Sequence, residues 1–123
     1  MFYSRKTLEI FRNPQHVGSL QNPDAFGSAK SLYCSDYAEI YLQISKGLIK
    51  DAKFLTNGCC AAIAASSIFI DMIKTKNIEE NEKLTKEDIS QALDHLPLQK
   101  ITCSLVIIDA YKNAIEIYLK KQR

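Results

Sequence analysis

The chain has 123 residues, of which 46% are hydrophobic and 24% are charged. This length fits a single domain, residues 1–123, and the apolar content is sufficient for a packed core, so a mainly disordered chain is excluded. The 16 Lys+Arg and 14 Asp+Glu leave a formal net charge of +2, which gives no electrostatic reason to expect nucleic-acid binding. No secretory signal or membrane-spanning run is evident, so we expect a cytoplasmic protein that does not bind membranes.

The N-terminal part of the chain predicts one helix, one long loop and one weak strand. Tyr3 to Phe11 has helical spacing of its apolar residues, and the following Asn-Pro pair predicts the end of the helix. Residues 13–28 contain two Asn-Pro pairs and two glycines, which indicates a loop. Ala29 to Cys34 is expected to form the first strand.

The middle of the chain has the clearest strand pattern. Ile40, Leu42 and Ile44 alternate with more polar residues, which predicts a strand with one buried face. Lys46-Gly47 indicates a tight turn, and Leu48 to Thr56 is predicted to form the partner strand. We therefore expect a three-stranded antiparallel meander.

The C-terminal half predicts helices. Cys59 to Lys74 carries no charge before Asp71, which is typical of a helix buried on most sides. Thr85 to Asp88 resembles a capping box that opens a helix ending at Pro97, and a last helix is predicted from about 101 to 120. Strands followed by helices indicate an α+β fold, with the helices packed on one face of the sheet.

The cysteines are predicted to lie at element boundaries. Cys34 is expected to end the first strand, Cys59 to open the buried helix, and Cys103 to lie in the first turn of the last helix. A helix N-terminus stabilises a thiolate, so this placement suits a thiolate site for a soft metal, with Asp36 as a nearby oxygen ligand. Buried, inert thiols are the alternative interpretation. The spacing of a zinc finger is absent.

Other candidate ligands are weaker. Cys60 follows Cys59 on a helix and therefore points about 100° away around the axis, so we expect it to pack in the core. His16 and His95 have no ligand partner nearby in sequence and are expected to have loop or surface roles.

Several segments together resemble a known family. The chain is similar to the iron–sulfur cluster assembly scaffolds, IscU and the N-terminal domain of NifU, from Tyr3 to about Tyr118. The matching segments are FRNPQHVGSLQNPDAFG (11–27), YCSD (33–36), DAKFLTNGC (51–59), AAIAASS (61–67), MIKTK (72–76), LP (96–97) and KITCS (100–104).

The resemblance implies a function and a set of ligands. It implies that Cys34, Asp36, Cys59 and Cys103 hold a transient 2Fe–2S cluster, and that Cys103 accepts sulfur as a persulfide. A cysteine desulfurase would supply that sulfur, and apo-proteins would receive the cluster. The family's role is that of a scaffold rather than an enzyme, and the sequence leaves open whether the chain forms a homodimer.

The chain departs from the family pattern at several positions. Thr102 stands where the family usually has His, which makes Asp36 the best fourth ligand. Cys60 stands where the family usually has Gly after the second ligand cysteine, and it adds a thiol. Ser35 stands where the family usually has Gly after the first ligand cysteine. Residues 96–100 read LPLQK rather than LPPVK, which weakens the expectation of a DnaK-type chaperone partner.

Two other functions use the same residues. Thiolates plus a carboxylate also suit tetrahedral zinc, so a zinc protein is an alternative. A persulfide carrier with no lasting cluster is another. Lys100 could orient a cluster or a partner, or it could simply be exposed.

Overall fold

A three-stranded antiparallel sheet with helices on one face forms the fold, as the sequence predicts. The computed structural model describes residues 2–32 and 35–121. In chain order the elements are α1 Arg5–Arg12, β1 Ala25–Lys30, β2 Tyr37–Ser45, β3 Leu48–Asn57, α2 Cys60–Ile73, α3 Ile78–Asn81, α4 Lys86–Ala92, a 3₁₀ segment Leu98–Ser104 and α5 Leu105–Lys121. None of the helices in these ranges is long and apolar enough to cross a membrane.

The β2–β3 hairpin confirms the predicted alternation. Ile40 and Leu42 are fully buried, and Ile44 is nearly so, whereas the residues between them point to the other face. Lys46 and Gly47 both have positive φ, 53° and 77°. Positive φ at both central residues is the geometry of a two-residue hairpin turn. The strand order is β1-β2-β3, with both pairs antiparallel.

The first strand lies earlier than the sequence predicts. It runs over Ala25–Lys30 and not from Ala29 onward, so residues 25–28 of the predicted loop 13–28 belong to the strand. The predicted end of the strand at Cys34 lies outside the described residues. Gly27 explains the error, because this glycine allows close packing of a helix on the strand and does not mark a loop. A Cβ at Gly27 would lie 2.5 Å from Ala114 N. Only glycine therefore lets α5 approach β1 this closely.

The core lies between the sheet and two helices. α5 packs on β1 and β2, and α2 packs on β3. The small residues of α2, including Ala61, Ala62 and Ala65, are buried, which lets neighbouring elements approach its axis. Phe69 of α2 and Tyr111 of α5 meet edge to face, with ring centroids 5.5 Å apart. This is one of the arrangements that aromatic pairs favour.

The loop before β1 is fixed to α2 and β3. The backbone N–H of Gln15 donates to Ser67 Oγ at 3.1 Å, and the Ser67 hydroxyl donates to Gln15 O at 3.1 Å. His16 Nε2 lies 2.7 Å from Asp71 Oδ1. The predicted loop role of His16 is therefore confirmed, and the residue anchors the loop to α2.

The segment before the last helix also differs from its prediction. The capping box at Thr85 is present, but α4 ends at Ala92 because Asp94 and His95 take positive φ. The last helix is preceded by the 3₁₀ segment Leu98–Ser104. Ser104 Oγ donates to Ile101 O at 2.7 Å. This hydrogen bond joins the two ends of the last turn of the 3₁₀ segment.

Candidate metal centre

Three of the predicted ligand residues converge. The ligand atoms of Asp36, Cys59 and Cys103 all lie within 4.8 Å of one another, although the residues come from three separate parts of the chain. Cys34, the fourth predicted ligand, lies outside the described residues, so its role stays a prediction. Asp36 precedes β2, Cys59 precedes α2, and Cys103 lies in the 3₁₀ segment.

Asp36 is held in place by the backbone around it. Its side chain is buried, with a residue exposure of 5%, and its carbonyl oxygen accepts a hydrogen bond from Ser31 N at 2.9 Å. Its carboxylate lies against Gly58, where a Cβ would be 2.8 Å from Asp36 Oδ1 and 2.9 Å from Asp36 Cγ. Gly58 therefore provides the space that the carboxylate occupies.

Cys59 is the N-cap residue of α2, close to its predicted position. It makes no side-chain capping hydrogen bond, so its sulfur is free to face the site. The Cys59 thiol donates to Asp36 Oδ2 at 3.7 Å. The positive end of the helix dipole favours a negative group beside it, whether a thiolate or a bound anion.

Cys103 does not have the environment that the sequence predicts. It lies in the 3₁₀ segment rather than in the first turn of an α-helix, and it is 9% exposed. Burial, followed by the hydrogen bond and charge of Cys59 and the charge of Asp36, raises the pKa of Cys103 to about 12. The expectation that a helix N-terminus makes this thiol acidic is therefore wrong for the metal-free protein.

The three groups line a cleft of about 260 Å³. The cleft is lined by Ser31, Asp36, Cys59, Gln99, Lys100, Thr102 and Cys103. Thr102, the residue in place of the family histidine, thus faces the same space as the ligands but offers only a hydroxyl. Negative charge on Cys59, then on Tyr3 and Cys103, raises the pKa of Lys100.

The remaining candidates stay outside this ligand group. Cys60 is half-buried in the first turn of α2 and does not belong to the hydrophobic core, so the expectation of core packing is wrong. Burial and the charge of Cys59 raise the pKa of Cys60. Within residues 2–32 and 35–121, neither histidine is part of the close ligand group.

The arrangement suits a thiophilic metal that can also be released. Two sulfur atoms and one carboxylate oxygen approach a common point, which fits zinc or the iron atoms of an iron–sulfur cluster. Metal binding deprotonates such thiols, because thiolate is the ligand form. Sequence reasoning missed Gly58, although its position directly before Cys59 at a strand-to-helix junction was a usable signal.

The chain is similar to known proteins along almost its whole length. The family model described as NifU-like N terminal domain matches residues 2–123. The chain is 41% identical over 119 residues to the iron-sulfur cluster assembly scaffold protein IscU 1 of Archaeoglobus fulgidus, covering 97% of this chain and 78% of that protein. It is 36% identical over 126 residues to the scaffold protein IscU of Escherichia coli K12, covering 99% and 98%.

A solved structure shows the same fold. The N-terminal region of a NifU-like protein from Brucella abortus superposes with a TM-score of 0.75 at 18% identity, covering 96% of this chain and 94% of that one. The agreement confirms the three-stranded sheet with its helices as a known arrangement.

Proposed function

The chain belongs to the family of NifU-like N-terminal domains, and from this membership we propose that it is a scaffold for iron–sulfur cluster assembly. In this proposal a 2Fe–2S cluster forms on the protein as cargo and then passes to apo-proteins. The protein binds and transfers the cluster in the cytoplasm and is not itself an enzyme.

The convergence of Asp36, Cys59 and Cys103 carries the proposal. Ligand atoms from distant parts of the chain lie within 4.8 Å of one another at a cleft, which is the spacing that a shared metal centre requires. Inert buried thiols would have no reason to gather beside a carboxylate. Cys34 is proposed as the further thiolate, since it lies two residues before Asp36.

The mixed ligand set fits transient binding. A carboxylate oxygen is a harder ligand than a thiolate and matches cluster iron less well. We propose that Asp36 is the labile ligand, whose release lets the cluster leave. The family usually has a histidine at the position of Thr102, and the threonine does not replace its imidazole as a ligand.

The proposed partners follow from this chemistry. Sulfur must arrive in a transferable form, so a cysteine desulfurase that carries a persulfide is the proposed donor, and apo iron–sulfur proteins are the acceptors. A DnaK-type chaperone is not included, because two positions of the segment at 96–100 differ from the family's motif.

Anaerobic reconstitution with ferrous iron and sulfide tests the function. We expect a visible charge-transfer spectrum and about equal iron and sulfide content. Cys59→Ser should lose most of the cluster, because a hydroxyl is a poor ligand for a soft metal, whereas the neighbouring Cys60→Ser is the matched control and should retain it.

Three results would contradict the proposal. Equal losses from Cys59→Ser and Cys60→Ser would refute the assignment of the second ligand. A colourless protein that binds only zinc would indicate a zinc site instead. A protein that carries sulfane sulfur without iron would indicate a persulfide carrier. Size-exclusion chromatography of the loaded protein then shows whether one cluster is shared by two copies.

A further inference from the structure

Lys100 occupies a distinctive place in the cleft. Among the described residues that line the cleft with Asp36, Cys59 and Cys103, it is the one cation. Its backbone N–H donates to Pro97 O at 2.8 Å, which fixes the 3₁₀ turn from which the side chain extends. The residue as a whole is half-buried, whereas its ammonium group remains open to solvent.

Four groups that can carry negative charge lie within electrostatic range of this ammonium. Cys59, Tyr3, Cys103 and Asp36 each raise the pKa of Lys100, in that order of size. The interaction is reciprocal, since the charge of Lys100 lowers the pKa of Cys103 and of Cys60 against the other influences on them. Lys100 lines the same cleft as Cys59 and Cys103, and its positive charge therefore acts on the thiols of the site.

A loaded site has an excess of negative charge. The negative charge of three thiolates and a carboxylate exceeds the positive charge of an oxidised 2Fe–2S core. One-electron reduction adds a further negative charge. A nearby cation stabilises the reduced form more than the oxidised form, because Coulomb attraction grows with the charge it acts on.

We propose that Lys100 is a charge-compensating positioning residue, which raises the reduction potential of the cluster held by Asp36, Cys59 and Cys103 and retains the cluster when it is reduced. This inference rests on the proposed scaffold function and adds a determinant of its redox behaviour. Lys100 does not bind iron, so it acts through its charge and not as a ligand.

Spectroelectrochemical titration of the reconstituted protein tests this role. Lys100→Gln should shift the midpoint potential to a more negative value and should lose the cluster faster after reduction by dithionite. Lys100→Arg keeps the charge and should stay close to the parent protein. Lys83→Gln removes an exposed cation that does not line the cleft and should change nothing. An unchanged potential in Lys100→Gln, or an equal shift in Lys100→Arg, would overturn the proposal.

A second measurement requires no cluster. In the metal-free protein with Cys59 as its single cysteine, we compare alkylation by anionic iodoacetate and by neutral iodoacetamide. Both reagents attack the same thiolate, so the ratio of their rates does not depend on the thiol pKa. Lys100→Gln should lower that ratio, and an unchanged ratio would overturn the charge role. If no variant takes up a cluster, the scaffold function fails, and this ratio alone decides whether Lys100 directs anions to the thiols.

Discussion

Gly58→Ala should weaken cluster binding through Asp36, without unfolding the protein. The new Cβ would lie 2.9 Å from Asp36 Cγ and 3.1 Å from Ala62 Cβ. Carbon atoms pack at about 3.5–4.0 Å, so the carboxylate must move by at least about 0.6 Å. Ligand distances in metal sites hold to about 0.2 Å, so a shift of this size displaces the oxygen from its binding position.

The expected magnitude follows from related changes in other metal sites. Loss of a residue that orients a ligand typically costs about 10–100-fold in metal affinity. We therefore expect the Gly58→Ala protein to release its cluster to a chelator about 10–100-fold faster than the parent. Overpacking costs about 1–3 kcal/mol of folding free energy, which thermal denaturation should detect while the fold survives.

A double-mutant cycle separates this mechanism from general damage. The rate of cluster loss is followed by circular dichroism in the parent, Gly58→Ala, Asp36→Ala and the double variant. If Gly58 acts by making space for the carboxylate, Gly58→Ala should add little once Asp36 is Ala. Fully additive effects, or a Gly58→Ala protein that keeps its cluster as long as the parent, would refute the reasoning.

Two further predictions concern the metal-free protein. Cys103 should be alkylated more slowly than a free cysteine at neutral pH, and its rate should rise through the alkaline range, because burial and its neighbours raise its pKa to about 12. Asp36→Asn should speed this reaction by removing one of the charges that raise that pKa, and a fast rate at neutral pH would contradict the environment described. Gly27→Ala would place a Cβ against the α5 backbone at Ala114. This overpacking should destabilise the fold by about 1–3 kcal/mol or more in urea denaturation, and an unchanged midpoint would contradict that packing.

The parts of the fold that local pattern determines were predictable. The alternation of Ile40, Leu42 and Ile44 fixes which face of β2 is buried, and Lys46-Gly47 fixes the turn that follows it. The capping box at Thr85 is also a local signal, and both of its hydrogen bonds are present. Each of these features depends on residues close together in sequence.

The errors arise where packing between residues far apart in sequence determines the local structure. Gly27 indicates a loop when read locally, but it lies within β1 because α5 needs the space beside it. The 3₁₀ geometry around Cys103 is likewise not revealed by apolar spacing.

The ligand set was only partly predictable in physical terms. The element boundary before α2 suggested Cys59, and Asp36 was suggested by its closeness to Cys34 in sequence, but no spacing rule shows that side chains from three parts of the chain meet in one cleft. The high pKa of Cys103 and the contact of Gly58 with Asp36 depend on burial, which only the folded chain establishes.

Transfer of the cluster to an apo-ferredoxin tests the central claim most directly. The reconstituted parent and Asp36→Cys are compared anaerobically by circular dichroism, at matched cluster occupancy. We expect the parent to transfer its cluster and Asp36→Cys, with thiolates only, to hold it longer and transfer it more slowly. A parent protein that forms no transferable cluster would contradict the scaffold function, and equal rates at full occupancy would show that Asp36 does not control release.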